Sequence, residues 1–317
     1  MLLQPLSSLC LDQEIINLEI SINSGQMFLW KRIDNAWYGT YGEHILKFST
    51  FAADNPKQNK NINNDDRLIE FYSFPDMKGW EQHVFRLNDD IKYILSSFPN
   101  DTLLSDAIRR FSGLRLMRQD PYQCMFSFVC ASNTNILMIR RMLNSLSRKF
   151  GRRIVVDGKE FFTFPTAADL NRATIADLRS CGLGYRAKAI KLLAESIING
   201  NLDVKYLLQA SYDDAKKELL KVYGIGNKIA DCILLFSLEK LEAFPIDIWI
   251  TRALSHHYSW LISCNGKEKE NNNKNKKINY DQYITFSESI RKYFGKYSGY
   301  AQQYLYYSMR QSAGKKW

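Results

Sequence analysis

Cysteine is sparse and unclustered. The six cysteines of this 317-residue chain stand at positions 10, 124, 130, 181, 232 and 264, with no Cys-x-x-Cys pair among them. That spacing offers no zinc-ligand pattern and no redox motif, and it suits reduced thiols better than a disulfide framework. Long hydrophobic runs are also missing: no uninterrupted apolar stretch reaches the roughly 20 residues that a membrane-spanning helix needs. The opening MLLQPLSSLCLDQEIINLEI has no basic segment ahead of a long apolar core, so no signal peptide is expected. No side-chain cluster asks for a catalytic metal or other cofactor. The expectation is a soluble, intracellular monomer without a membrane partner.

Positive charge is what the chain has in excess. Lysine and arginine total 43 against 33 aspartates and glutamates, a net charge of +10. Basic residues recur in RRMLNSLSRKFGRR (140–153) and YRAKAIK (185–191), each able to form a basic helix face or loop. This balance favours a polyanionic partner, with nucleic acid ahead of an anionic membrane surface.

The pattern of apolar residues divides the chain in two. LEISI (18–22) alternates apolar and polar residues, which predicts a half-buried strand. MFLWKRIDNAWYGTYGEHILKFSTF (27–51) predicts a meander with turns at Asp34-Asn35 and Gly42-Glu43. A polar loop (55–66) precedes RLIEFYSF, a further strand. From residue 87 the spacing becomes helical, with Asp120-Pro121 capping one helix and later helices over 134–149, 174–180, 185–198, 212–222, 227–238, 248–258, 281–294 and 298–311. CNGKEKENNNKNKKINYDQ (264–282) is Asn/Lys-rich and predicts a mobile surface insertion. The expected fold class is α+β. A small antiparallel β domain (1–86) leads into a larger all-helical domain (87–317), and no internal repeat is found.

Within the helical part, KELLKVYGIGNKIADCILLF reads as helix, tight hairpin, helix. Gly224 and Gly226 free the backbone for a sharp turn, and the amides opening the second helix make an anion site suited to phosphate. A cation is disfavoured at a helix N-terminus, so Lys228 in that first turn asks for a reason. One reading is a surface lysine extending to solvent. The other is a nucleophile, since apolar neighbours and a positive helix end both oppose an ammonium. Lys228 and Cys232, four apart, share a helix face. Nineteen residues beyond the lysine, Asp247 follows Pro245 where an N-cap opens the next helix. A cap is the commonest task for such an aspartate, but a carboxylate held there also suits stabilising a developing cation.

These residues carry a resemblance. The hairpin glycines, Lys228 and Asp247 resemble the helix-hairpin-helix and aspartate signature of the base-excision DNA glycosylases. Within that superfamily the chain is most similar to the 8-oxoguanine DNA glycosylases. SGQMFLW (24–30), RLMRQDPYQCMFSFVCASNTN (115–135), GLGYRAK (182–188), GIGNKIADCI (224–233) and GYAQQYLYY (299–307) match segments of that family in the same order.

The resemblance implies a bifunctional repair enzyme that binds double-stranded DNA containing oxidised guanine. Lys228 would attack C1′, expel the base and form a Schiff base, after which β-elimination nicks the strand. Asp247 would stabilise the oxocarbenium-like transition state. The nucleotide must first leave the duplex, at a cost of a few kcal/mol. Asn133 would fill its place, Tyr185 would wedge beside the unpaired partner, and Arg186 would hydrogen-bond that partner. Taken without the family match, Asn133 reads as a polar cap and Tyr185 as a core aromatic. The Gly25 carbonyl would accept the N7 hydrogen that oxidised guanine carries and guanine lacks, a difference of roughly 1–3 kcal/mol. Cys232 and Tyr306 would sandwich the base, and Gln302 would read its pairing edge.

The chain departs from the eukaryotic members at four positions. Met138 stands where they carry an arginine that contacts the opposite base, which implies weaker preference for cytosine. Trp249 and Met309 replace a histidine and its aspartate partner, and Tyr306 replaces a phenylalanine. Relatives that cut oxidised pyrimidines hold an iron-sulfur cluster on four cysteines after the aspartate, whereas only Cys264 follows Asp247 here. The alkylated-purine branch lacks the lysine. A non-catalytic DNA-binding module is the competing reading from another class, and strand cleavage separates it from an enzyme.

Overall fold

A computed structural model describes residues 4–11, 16–51, 67–263 and 279–314. Five strands, β1 Ser7–Leu11, β2 Trp30–Ile33, β3 Ala36–Tyr41, β4 His44–Phe51 and β5 Arg67–Phe74, form one antiparallel sheet in the order β1-β5-β4-β3-β2. The meander turns where expected, with Asp34 and Gly42 both at φ +54°. One face of the sheet is aromatic. Trp30, Phe48 and Phe71 meet Trp80 and Phe85 with ring centroids 5.4–6.3 Å apart. All five are buried, and each contributes about 1.5–3 kcal/mol by leaving water.

Two short helices accompany this sheet, α1 (Leu18–Ile22) and α2 (Trp80–Val84). LEISI is therefore helical, not a strand. Its buried residues are Leu18, Ser21 and Ile22, a helical spacing, and the Asn17 side chain caps it by accepting the Ile20 amide at 3.0 Å. The polar loop expected at 55–66 and residues 264–278 of the expected insertion lie outside the described residues.

The rest is mostly helical: α3 Ile91–Ser96, α4 Thr102–Arg110, α5 Pro121–Cys130, α6 Ile136–Phe150, α7 Ala167–Arg172 and α8 Ile175–Leu178 come first. They are followed by α9 Arg186–Ile198, α10 Val204–Gln209, α11 Tyr212–Leu220, α12 Asn227–Ser237, α13 Ile248–His257, α14 Ser259–Ser263, α15 Tyr280–Phe294 and α16 Ser298–Ser312. The region is not all-helical, because β6 (Arg153–Val156) and β7 (Lys159–Phe162) form a hairpin. Asp157 and Gly158 turn it at φ +51° and +71°, the left-handed pair that a two-residue hairpin turn requires. Tyr38 of the sheet stacks on Phe161 at 4.8 Å and donates to Asp157 at 2.6 Å, docking the hairpin. The helix expected over 174–180 stops at Leu178 and passes into a π turn, Arg179–Leu183, with Gly182 at φ +82°. The expected insertion is also shorter at its end, since Asn279 and Gln282 form the capping box of α15.

Helix α12 is the centre of the helical part, with every residue from Ile229 to Ser237 buried. It packs against α5 through Phe128 and Phe236, whose rings stack at 5.6 Å. Just beyond α12, Glu239 joins the sheet side to the helices. Its carboxylate accepts from Arg86 at 2.8 and 2.9 Å and from Arg118 at 2.6 and 3.0 Å. Burial pushes that carboxyl up, but the two guanidiniums outweigh it and hold it down to about 2.

Candidate active site

The hairpin between α11 and α12 turns at Gly224, which adopts φ +90° and lies so close to α9 that an added Cβ would stand 2.6 Å from that of Ala189. Glycine is thus required there for both its dihedral and its size. Gly226 differs: it is extended, and an added Cβ would meet nothing within 4 Å. It opens α12 without a side-chain cap. The first intrahelical bond runs from the Ala230 amide to the Gly226 carbonyl at 2.9 Å, so the amides of Asn227, Lys228 and Ile229 have no helix partner. Such a helix end is an anion site.

Lys228 follows from this end with its ammonium 5.5 Å from the centre of the Phe128 ring. Its charge also acts on the Cys232 thiol, one turn along the shared face. Burial pushes that thiol up to about 11 against the Lys228 charge. Cys232 is therefore an apolar wall rather than a second nucleophile.

Asp247 approaches the same place from α13. It is the N-cap expected, its Oδ1 accepting the Trp249 and Ile250 amides, each at 2.9 Å. Burial raises the Asp247 carboxyl above its ordinary range, opposed by the Ile250 amide, the Lys228 charge, the Trp249 amide and Arg310. The segment leading to Asp247 is held by α16 and α15. Gly299 donates its amide to the Leu241 carbonyl at 2.8 Å, Gln302 donates to Pro245 at 3.1 Å, and Tyr283 accepts the Ile246 amide at 3.2 Å.

Tyr306 and Gln302 enter from α16. Tyr306 accepts a hydrogen bond from Arg310 at 3.0 Å. Burial, then the Asp247 carboxylate, pushes its phenol up to about 12, with Cys232 adding in the same direction. Cys232 and Asp247 therefore sit within each other's fields, with Lys228 acting on both and both acting on Tyr306. Gln302 is buried, and its Oε1 has no hydrogen-bond partner. An unpaired buried acceptor costs about 1–3 kcal/mol and asks for a donor.

Gly25 lies in a rigid turn at φ +92°. The carbonyls flanking it are taken: that of Ser24 by Gln303 at 2.8 Å, that of Gln26 by Gln119 at 2.6 Å. The Gln26 side chain fastens the turn to the backbone of Arg115 and Met117, each at 2.7 Å. Among the described residues no hydrogen bond ends on the Gly25 carbonyl.

Asn133, Tyr185 and Arg186 form a separate group. Asn133 adopts φ +48° and donates to the Tyr185 hydroxyl at 3.5 Å. Tyr185 is 62% exposed, which excludes a core role. The Ser132 carbonyl is the hub, accepting the Tyr185 hydroxyl at 3.3 Å and Arg186 Nε at 3.0 Å. Arg186 Nη2 reaches the carbonyls of Ser132 and Asn133, and the guanidinium lies 4.5 Å over the Tyr185 ring. Nearby, Met138 is exposed and takes Arg141 Nη1 against its sulfur at 3.9 Å. Trp249 carries the Arg252 guanidinium 4.9 Å over its ring.

Sequence reasoning missed five contributors: Phe128 below Lys228, the Ser132 carbonyl, Gln119 and Gln303 behind Gly25, and Arg310 beside Tyr306 and Asp247. Phe128 and the Ser132 carbonyl had no local signal, and Arg310 stands in a basic C-terminal stretch that gives none. Among the described residues no group of three His, Cys, Asp or Glu side chains is arranged to hold a metal ion, and no helix is long and apolar enough to cross a membrane.

Known proteins resemble this chain along most of its length. The family model for the N-terminal domain of 8-oxoguanine DNA glycosylase matches residues 8–125, and that for the helix-hairpin-helix superfamily of base excision DNA repair proteins matches residues 126–278. The N-glycosylase/DNA lyase of Saccharomyces cerevisiae is 31% identical over 90% of this chain and 81% of its own length. A probable N-glycosylase/DNA lyase of Methanothermobacter thermautotrophicus is also 31% identical, over 73% of this chain and 74% of its own. The solved structure of Clostridium acetobutylicum 8-oxoguanine glycosylase/lyase, bound to duplex DNA with cytosine opposite 8-oxoguanine, superposes with a TM-score of 0.76 at 28% identity. That match covers 94% of this chain and 93% of the clostridial one. Sheet, helical hairpin and these relatives together establish that the chain belongs to the 8-oxoguanine DNA glycosylase family of N-glycosylase/DNA lyases.

Proposed function

We propose that this enzyme excises 8-oxoguanine from duplex DNA with Lys228 as nucleophile and then nicks the strand. The observation that carries the reading is that the Lys228 charge acts on the buried Asp247 carboxyl, from a different element, beside an uncapped helix end. The Lys228 amine attacks C1′, the N-glycosidic bond breaks, and the base leaves with the bonding electron pair and takes up a proton. Asp247 stabilises the positive charge that develops on the sugar, an effect worth about 3–4 kcal/mol for one well-placed group. Its carboxyl, raised above the ordinary range by burial, also suits proton transfer. The C1′ nitrogen then loses a proton, the C1′–O4′ bond breaks and O4′ takes up a proton, which opens the sugar ring and gives the Schiff base; removal of a C2′ proton expels the 3′ phosphate.

Base choice rests on the Gly25 carbonyl and Gln302. The carbonyl meets the N7 hydrogen of the oxidised base but faces a lone pair in guanine, roughly 1–3 kcal/mol of discrimination. The unpartnered Gln302 Oε1 is an acceptor for the donors of the pairing edge. Cys232 and Tyr306 flank the base. Asn133 and Tyr185 fill and wedge the duplex, while Arg186, whose Nη1 carries no hydrogen bond among the described residues, turns to the opposite base. Gly224 and Gly226 admit the backbone phosphate. Arg252 on Trp249 supplies the cation on the flank where the histidine is absent.

The partner is double-stranded DNA, met by the enzyme as a monomer without a cofactor, and its place is with the chromosomal DNA. The test is single-turnover incision of duplexes carrying 8-oxoguanine or guanine opposite each of the four bases. Release of 8-oxoguanine with strand nicking, and retention of guanine, is expected. Binding without release would refute the proposal.

A further inference from the structure

One buried ionisable group has no part in the chemistry above. Asp231 lies three residues after Lys228 in α12, and it is fully enclosed. Its Oδ1 accepts from the Tyr212 hydroxyl at 2.6 Å, and its Oδ2 accepts from Lys216 Nζ at 3.0 Å and from the Tyr283 hydroxyl at 2.7 Å. Lys216 also donates to Tyr212 at 2.8 Å. Tyr283 has a single proton and spends it on Asp231. The lone pair left on the same oxygen accepts the amide of Ile246 at 3.2 Å. A hydrogen-bonded path therefore runs from the helix that bears Lys228 to the residue immediately before Asp247.

Stability alone does not call for this arrangement, because apolar packing often equals or exceeds a buried ion pair. Direction does. A hydroxyl that must donate to a fixed carboxylate can accept from only a narrow range of positions, so the Ile246 amide is confined. A catalytic pair must be held to within about 0.5 Å of its working geometry, and Lys228 and Asp247 sit on separate elements. Ile246 is itself buried, so the amide has no water to turn to if the hydroxyl is removed.

We infer that Asp231, acting through Tyr283 on the Ile246 amide, positions Asp247 against Lys228. Asp231 and Tyr283 are positioning residues, and the inference rests on the catalytic reading of Lys228 and Asp247. Asp231→Asn also breaks the pair with Lys216 and endangers folding, so Tyr283→Phe, which deletes one oxygen and keeps the ring, is the decisive variant. Single-turnover base release from an 8-oxoguanine duplex is measured in two backgrounds, unmodified and Asp247→Asn, with affinity read on a duplex carrying an uncleavable abasic analogue. Tyr283→Phe is expected to slow release about tenfold or more in the unmodified background, with affinity within about twofold. Over the residual rate of Asp247→Asn it should add nothing, since both changes act through one group. Unchanged release in the first background, or equal slowing in both, overturns the inference. If the unmodified protein releases no base, the catalytic reading fails, and the inference falls with it.

Discussion

Replacing Glu239 by glutamine should loosen the join between sheet and helices. The carboxylate accepts four hydrogen bonds from Arg86 and Arg118, and the Arg86 side chain is only 1% exposed. A drop from 4.5 to about 2 in the folded state corresponds to roughly 3 kcal/mol at 1.36 kcal/mol per unit. Glu239 is 36% exposed, so solvent screening reduces this to about 2 kcal/mol. Because the folded carboxyl is the stronger acid, this stability is present above the unfolded value and is lost as pH falls toward about 2. Thermal unfolding of the two proteins should therefore differ by several degrees near neutral pH, with the variant less stable. The gap should close as the pH is lowered from about 4.5 toward the folded value. A loss under about 0.5 kcal/mol, or a gap equally wide in acid and at neutrality, would refute the reasoning.

Other outcomes follow from the same geometry. Gly226→Ala should leave unfolding within about 0.5 kcal/mol of the unmodified protein yet weaken duplex binding, because the proposed phosphate would occupy the open space there. Gly224→Ala should lower stability as well, by about 1 kcal/mol or more, since it meets both a positive φ and Ala189. Gln302→Ala should slow release of 8-oxoguanine about tenfold to a hundredfold, read as kcat/KM, by removing the buried, unpartnered acceptor proposed to read the base. Asp247→Asn should cut single-turnover base release by about a hundredfold or more. It should also remove any acid limb that this raised carboxyl imposes on the pH-rate profile.

Local features were readable and distant ones were not. The hairpin and the cap at Asp247 are legible because each is written in a few consecutive residues: two glycines before a helical stripe, and a carboxylate after proline. LEISI misled because five residues fit both periods, and the deciding group, the Asn17 cap, lies outside the pattern. The Asp157-Gly158 turn carried an ordinary hairpin signal inside a region whose helical spacing dominated. The Glu239 clamp joins residues 121 and 153 positions apart, and nothing local to Arg86, Arg118 or Glu239 announces it. The same applies to Gly25. Its sequence neighbours were visible, but Gln119 and Gln303, which occupy the flanking carbonyls, come from elsewhere in the chain. Arg310 went unread because its role depends on where α16 sets Tyr306 relative to Asp247.

The central claim is that Lys228 forms a Schiff base with the sugar. Borohydride trapping on duplexes with 8-oxoguanine opposite each base, for the unmodified protein and for Lys228→Gln, tests it most directly. The account predicts a covalent protein–DNA adduct that vanishes in the variant while duplex binding persists, with a weaker preference for cytosine opposite the lesion because Met138 stands where the eukaryotic relatives carry an arginine. An adduct that survives Lys228→Gln, or none from an unmodified protein that binds the duplex tightly, would contradict it.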